Sequence, residues 1–340
     1  MEIDTVLTDS LSDSSLVFDS PPVSFSREEA DSKIHGRGDP WFEDGNVVLV
    51  ASQTSFKVHR GVLAKHSDVF QGLFNIPQPE DAEKYEGVPV IKMTDNPDDV
   101  SVFLAALYDG PRFVRCAKLD FKDVVIYTRL GHKYGVEHLC DGGLRRLREA
   151  FPPKFSFGWY EGPAKALPGF RTEDAITVLN LARLTGATDI LPTVLYVCTQ
   201  LSVSNILSRS CLAPGSNNED YLSMDDVARC LGGQTELRLR QHRTVLKTVA
   251  SESRSDKCTD TQVCEVELAK MRQQTVEMLS SPSILTTHAD TLRPHSLWDF
   301  IRSFGLCEPC MSALGSQETS LQKATFDELP VIFNLGPPAS

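Results

Sequence analysis

Four cysteines near the end of the chain have the most chemically pointed spacing: Cys258 and Cys264 enclose five residues, and Cys307 and Cys310 enclose two. A C-x2-C pair lets both sulfurs face one ion at ~2.3 Å, and a second pair closes a tetrahedral shell, so the set is a candidate site for one structural zinc ion. Forty-two residues separate the two halves. An intervening amphipathic helix with Leu268, Met271, Thr275 and Met278 on one face would have to bring them together. Other readings compete for the same residues. Cys307-Glu308-Pro309-Cys310 is also a redox spacing, but that chemistry needs a βαβ surround and a thiol of lowered pKa. Buried free thiols are the plain alternative. His288 and His295 are substitute ligands within a Pro-containing loop. A zinc enzyme would need an open coordination position and a general base, and four sulfurs leave neither.

A second dense stretch is SFKVHRGVLAKHSDVF, Ser55 to Phe70, with two histidines, an aspartate and basic residues. A general base there needs a pocket, a nucleophile and an orienting acid. The alternation of Phe56 and Val58 with Lys57 and His59 instead places His59 at the end of a strand. There it is expected to be half-buried, its nitrogens satisfying backbone groups where strand turns into helix. His66 is expected at a helix end, meeting terminal carbonyls or water. No catalytic residue is assigned.

The elements that position these residues follow from periodicity. Val47-Val48-Leu49-Val50 is a β-branched run, and with turn formers at 52–55 and the Phe56/Val58 alternation it spells a hairpin. Val62 and Leu63, then Val69, Phe70, Leu73 and Phe74, have helical spacing, with Ser67 as N-cap of the second helix. A strand is predicted over Val90 to Met93. A helix follows with Asn96 as cap, Pro97 at its first position and Val100, Phe103, Leu104, Leu107 and Tyr108 on one face. Two more helices are expected over 120–134 and 136–150, parted at Gly135. Phe56 and Val58 should pack on Leu63, Phe70, Phe103 and Leu107.

This order of elements resembles the BTB/POZ domain. The residues that carry the likeness are Val47 to Val50, Phe56-Lys57-Val58-His59-Arg60, Val62-Leu63-Ala64, Ser67-Asp68-Val69-Phe70 and Leu73-Phe74. The opening Asp39-Pro40-Trp41-Phe42-Glu43-Asp44-Gly45 is similar to the large fungal set of such proteins. The resemblance implies protein binding without catalysis, through homodimerisation or a partner. It also admits a substrate adaptor for a cullin-type ubiquitin ligase, contacting the scaffold with the Asn96–Asp109 helix and its preceding strand, or a transcriptional co-regulator. In many animal members the residue matching Arg60 faces an aspartate in a charged dimer pocket, whereas this chain has Asn46 there. Related fungal sequences resemble this one in the cysteine arrangement and the element Phe326-Asp-Glu-Leu-Pro330 after it.

The rest of the chain reads as α-helical, giving an α+β protein with an all-α C-terminal region. Residues 1–38 are an acidic, Ser-rich arm expected to be disordered, in which Leu16-Val17-Phe18 could dock on a partner or on the protein's own first strand. Residues 39–150 form the BTB/POZ unit and 151–171 a Pro/Gly linker. Its aromatics Phe155, Phe157, Trp159 and Tyr160 should pack on helices. Residues 172–255 are helical, with Thr172 and Ser223 as caps and a stripe of Leu191, Val194, Leu195, Cys198 and Leu201; residues 256–340 hold the four cysteines. Arg238, Arg240, Arg243 and Lys247 read as scattered around a long helix. With 46 acidic against 34 basic residues the chain carries a net charge of −12, which repels nucleic acid. No apolar run approaches the ~18–20 residues of a membrane span, and the N-terminus lacks a basic n-region. A cytoplasmic or nuclear protein with reduced thiols is expected. A thiol or zinc enzyme using Cys307 and Cys310 is the rival class.

Overall fold

The computed structural model describes residues 36–77, 82–110, 119–156, 159, 162–209, 221–249, 254–280, 292 and 295–336. The Leu16-Val17-Phe18 stretch, Phe157, Tyr160 and His288 lie outside them, as do the side chains of Met278 and His295.

The N-terminal part is a small mixed sheet covered by helices. Strands β1 (Val47–Ala51) and β2 (Thr54–Val58) form the predicted hairpin, with Leu49 opposite Phe56; Ser52 has the φ of 52° that the tight turn imposes. Strands β3 (Lys84–Tyr85) and β4 (Val88–Met93) follow, and the order is β2-β1-β4-β3, with β4 parallel to β1. The outer edge of β2 is covered: Arg37 bridges to Ser55, which exchanges backbone bonds with Gly36 and Gly38 at 2.9 Å. An open strand edge offers unpaired amides, and the chain before the first strand fills that role.

Helices α1 (Arg60–His66) and α2 (Asp68–Asn75) form where expected, and Ser67 caps α2 by accepting from the Phe70 amide at 3.0 Å. Helix α3 (Pro97–Asp109) is capped by the Asn96 side chain, which accepts from the Asp98 amide at 2.9 Å. Helices α4 (Phe121–Lys133) and α5 (Glu137–Ala150) turn about Gly135, whose φ of 62° is left-handed. They pack closely because two glycines lie between them. A Cβ on Gly143 would stand 2.1 Å from Thr128 Oγ1, and one on Gly131 2.7 Å from the Cys140 amide. Phe56, Val58, Leu63, Phe70, Phe103 and Leu107 are all buried in one core, as the periodicities require. Val69, counted with that apolar set, is 47% exposed, because α2 turns only the Phe70 side fully inward.

Beyond residue 150 the chain is largely helical: α6 (Gly162–Ala166), α7 (Ala175–Thr185), α8 (Leu191–Cys198), α9 (Val203–Ser208), α10 (Met224–Val249), α11 (Thr261–Leu279), α12 (His295–Arg302), α13 (Glu308–Asp327) and α14 (Leu329–Ile332). Thr172 is not the cap of its segment. Residues 172–174 form a 3-10 turn in which the Arg171 amide donates to the Asp174 carboxylate at 2.8 Å. Ser223 caps α10 as expected, accepting from the Asp226 amide at 3.1 Å. The stripe from Leu191 to Leu201 is buried in the same core as the sheet. Trp159 is buried and meets Tyr196 and Phe326 edge-on at 5.6 and 5.5 Å, so the Phe326 element is part of this packing. A second, small core holds Val249, Leu268, Met271, Ile301, Phe304 and Leu314. Among the described residues no helix is long and apolar enough to cross a membrane.

Candidate functional site

The four cysteines converge. Cys258 lies in the loop before α11 and Cys264 in its first turn, while Cys307 is the N-cap of α13 and Cys310 sits in the first turn of that helix. Asp260 starts α11 by accepting from the Val263 amide at 3.1 Å. Pro309 suits the first turn of α13, where a missing amide costs nothing. The four sulfur atoms lie within 4.8 Å of one another, and Cys258 Sγ and Cys307 Sγ are 3.7 Å apart. Bonds of ~2.3 Å to one tetrahedral ion imply sulfur separations of about 3.8 Å, so the gathered thiols fit a zinc ion with a small contraction. Cys264 and Cys310 are buried, and Cys258 and Cys307 half-buried.

The surroundings favour thiolates. Two helix N-termini meet at the cluster, and their partial positive charge stabilises sulfur anions. The Cys307 amide donates to Cys264 Sγ at 3.3 Å. The backbone amides of Thr259 and Cys310 pull the Cys307 thiol down to about 5, whereas burial pushes Cys310 up to about 12 and raises Cys264. The Cys307 thiol is thus drawn toward the thiolate form, and ligation would expel the remaining protons of the set. The helix expected between the halves is α11, with Leu268, Met271 and Thr275 on its buried face.

At the other dense stretch, His59 ends β2 and precedes α1, as read from the sequence, but its partners differ from the expectation. They are side chains. The His59 amide donates to Tyr108 Oη at 2.9 Å, and Nδ1 lies 3.0 Å from the same oxygen. The other ring nitrogen, Nε2, lies 3.3 Å from Asp44 Oδ1. Phe42 lies against both rings, at 5.1 Å from His59 and 4.6 Å from Tyr108. Both imidazole nitrogens therefore have side-chain partners. Periodicity had shown Tyr108 only as a member of an apolar face; its hydroxyl, the polar end of a half-buried ring, was the available signal.

His66 stands at the end of α1 as expected, partly exposed, and also faces the His138 ring at 5.3 Å. Burial, then the neighbouring Lys65, lowers its pKa; burial, then His66, lowers that of His138. Among the described residues no carboxylate pairs with Arg60. Its guanidinium lies over Phe74 at 4.9 Å and donates to the Phe74 carbonyl, while Asn46 accepts from the Arg60 amide at 2.7 Å. The cations of α10 are less scattered than expected. Arg240, Arg243 and Lys247 follow one another at intervals of three and four and line one groove.

Residues 42–145 match the family model described as BTB/POZ domain. No curated protein matches the chain.

Proposed function

From the premise that residues 42–145 are a BTB/POZ domain, a family of interaction modules that dimerise or bind partners such as cullins, we propose that this chain is a non-enzymatic protein-binding platform. The family match carries this reading. Residues 39–150 would supply the contact, and the helices beyond them would orient it. The apolar surface on offer includes Val69 and Ile76 at the two ends of α2, 47% and 59% exposed. Burying such side chains is worth ~1.5–3 kcal/mol each when complete, so a small apolar patch can anchor a partner.

The C-terminal helices would be pinned by one zinc ion on Cys258, Cys264, Cys307 and Cys310. The fit of four thiols to one shell supports this, and so does the small size of the second core, which needs a further tie. When bound, the ion supplies cross-linking rather than Lewis-acid chemistry, because four sulfurs fill its tetrahedron. Reduced thiols of this kind suit a cytosolic or nuclear setting.

Light scattering on the full chain, with affinity purification of Val69→Asp and Ile76→Asp variants beside the wild type, tests the reading. A second copy or a specific partner should be lost from the variants while their unfolding curves stay unchanged. A cullin scaffold in the wild-type fraction would define the adaptor form. A monomer with no partner that depends on residues 39–150 would contradict the proposal.

A further inference from the structure

Helices α10 and α13 enclose a groove of about 250 Å³ lined by Arg240, Arg243, Thr244 and Lys247 on one side and Leu321, Ala324, Thr325 and Glu328 on the other. Arg240 is neutralised by Glu236 at 3.0 Å and by Glu328. Arg243 and Lys247 are exposed, and no ion pair with a carboxylate holds either among the described residues. The groove therefore offers two uncompensated cations beside the apolar Leu321 and Ala324, in a chain whose net charge is −12. Such a site selects an acidic segment with apolar residues between its charges.

One such segment is covalently attached. Residues 1–35 hold eight acidic residues against Arg27 and Lys33, which is half of the net charge of the whole chain. Within residues 1–26 there are Glu2, Asp4, Asp9, Asp13 and Asp19 and no Lys or Arg, with Leu11, Leu16, Val17 and Phe18 interleaved. Reach is sufficient. An extended chain covers up to ~3.3–3.6 Å per residue, so Asp19 can lie about 55–60 Å from Gly36 and Asp13 about 75–80 Å. A domain of this size has a radius of gyration of about 20 Å. Tethering raises the local concentration of the arm to the millimolar range, an advantage that no free acidic peptide has.

We propose that the groove between α10 and α13 is the docking site of the chain's own acidic N-terminal segment, residues 1–26, held by Arg243 and Lys247. The attraction is between exposed groups, so it weakens with salt.

Zero-length carbodiimide cross-linking of the full chain, followed by peptide mapping, reads this contact by joining carboxylates to lysine amines. Cross-links from Glu2, Asp4, Asp9, Asp13 or Asp19 should concentrate on Lys247 over the exposed Lys65, Lys122 and Lys165. Arg243→Glu leaves the Lys247 amine in place and should lower that yield about three-fold or more, as exposed pairs of ~0.2–1 kcal/mol turned repulsive would. Circular dichroism would verify that the variant is folded, since Arg243 is a surface residue. Three results would overturn the proposal: an even spread over the lysines, a yield unaffected by Arg243→Glu, or cross-links found only between chains in a mixture of ¹⁴N- and ¹⁵N-labelled protein.

Discussion

Tyr108→Phe removes one oxygen that serves the junction of β2 and α1 twice. In the wild type that oxygen accepts from the His59 amide at 2.9 Å and shares a hydrogen bond with His59 Nδ1 at 3.0 Å. Phenylalanine keeps the ring against Phe42, so packing is nearly conserved, while a half-buried backbone amide and a ring nitrogen both lose their partner. An unsatisfied buried polar group costs ~1–3 kcal/mol, and partial access to water at the half-exposed His59 puts this loss at about 1–2 kcal/mol. For a cooperative unit of about 150–250 residues that is a fall in Tm of about 2–8 °C. His59→Gln should cost less, about 1 kcal/mol, because its amide can keep one hydrogen bond to the hydroxyl while the ring contact with Phe42 is lost. The double variant should cost less than the sum of the two, since both changes act on one hydrogen bond. Urea unfolding of the four proteins, alongside partner binding, decides it. If Tyr108→Phe proved as stable as wild type, or His59→Gln abolished binding with an unchanged unfolding curve, the structural role of His59 would be refuted.

Phe70→Ala should lower stability by about 3–5 kcal/mol, because the ring is buried and stacked on Tyr134 at 5.0 Å; an unaltered melting curve would contradict that core. Gly143→Ala drives a Cβ to within 2.1 Å of Thr128 Oγ1 and should cost about 1–3 kcal/mol or more by wedging α4 from α5, measured by the same unfolding assay. Glu318 is buried on α13, and burial raises its carboxyl to about 7 from 4.5, so the folded chain binds that proton more tightly than the unfolded chain. Its contribution to stability is present below pH 4.5 and is lost as pH rises through about 7, with a slope of at most about 1.4 kcal/mol per pH unit. Glu318→Gln should remove that slope between pH 4.5 and 7 in urea titrations, and an identical slope in the variant would show that Glu318 is not its source.

The hairpin, the Ser67 and Asn96 caps, the turn at Gly135 and the Phe56–Phe70–Phe103 core were legible because each is set by local spacing or by one backbone requirement. The cysteine pairs were legible for the same reason: C-x2-C and C-x5-C are local, and α11 between them shows as a buried face. Pairings across the fold were not legible. Asp44 and Tyr108 reach His59 from distant elements, and His138 reaches His66 from α5. No periodicity encodes such meetings. A hydroxyl before two acids is a common N-terminal signal, yet at Thr172 the Asp174 carboxylate takes the Arg171 amide and makes Arg171 the cap residue. Arg240, Arg243 and Lys247 have the spacing of one face and line the groove on α10, whereas Arg238, two residues before Arg240, points off that face and disperses the set in sequence.

The claim that the last helices are tied by a structural and not a catalytic centre rests on four thiols in one shell, and native mass spectrometry of the full chain tests it most directly. The account predicts one zinc per chain, retained in the folded protein and lost on denaturation, with Cys258, Cys264, Cys307 and Cys310 protected from alkylation until the metal leaves. A folded chain that carries no metal, with all four thiols alkylated at the rate of exposed cysteines, would contradict it.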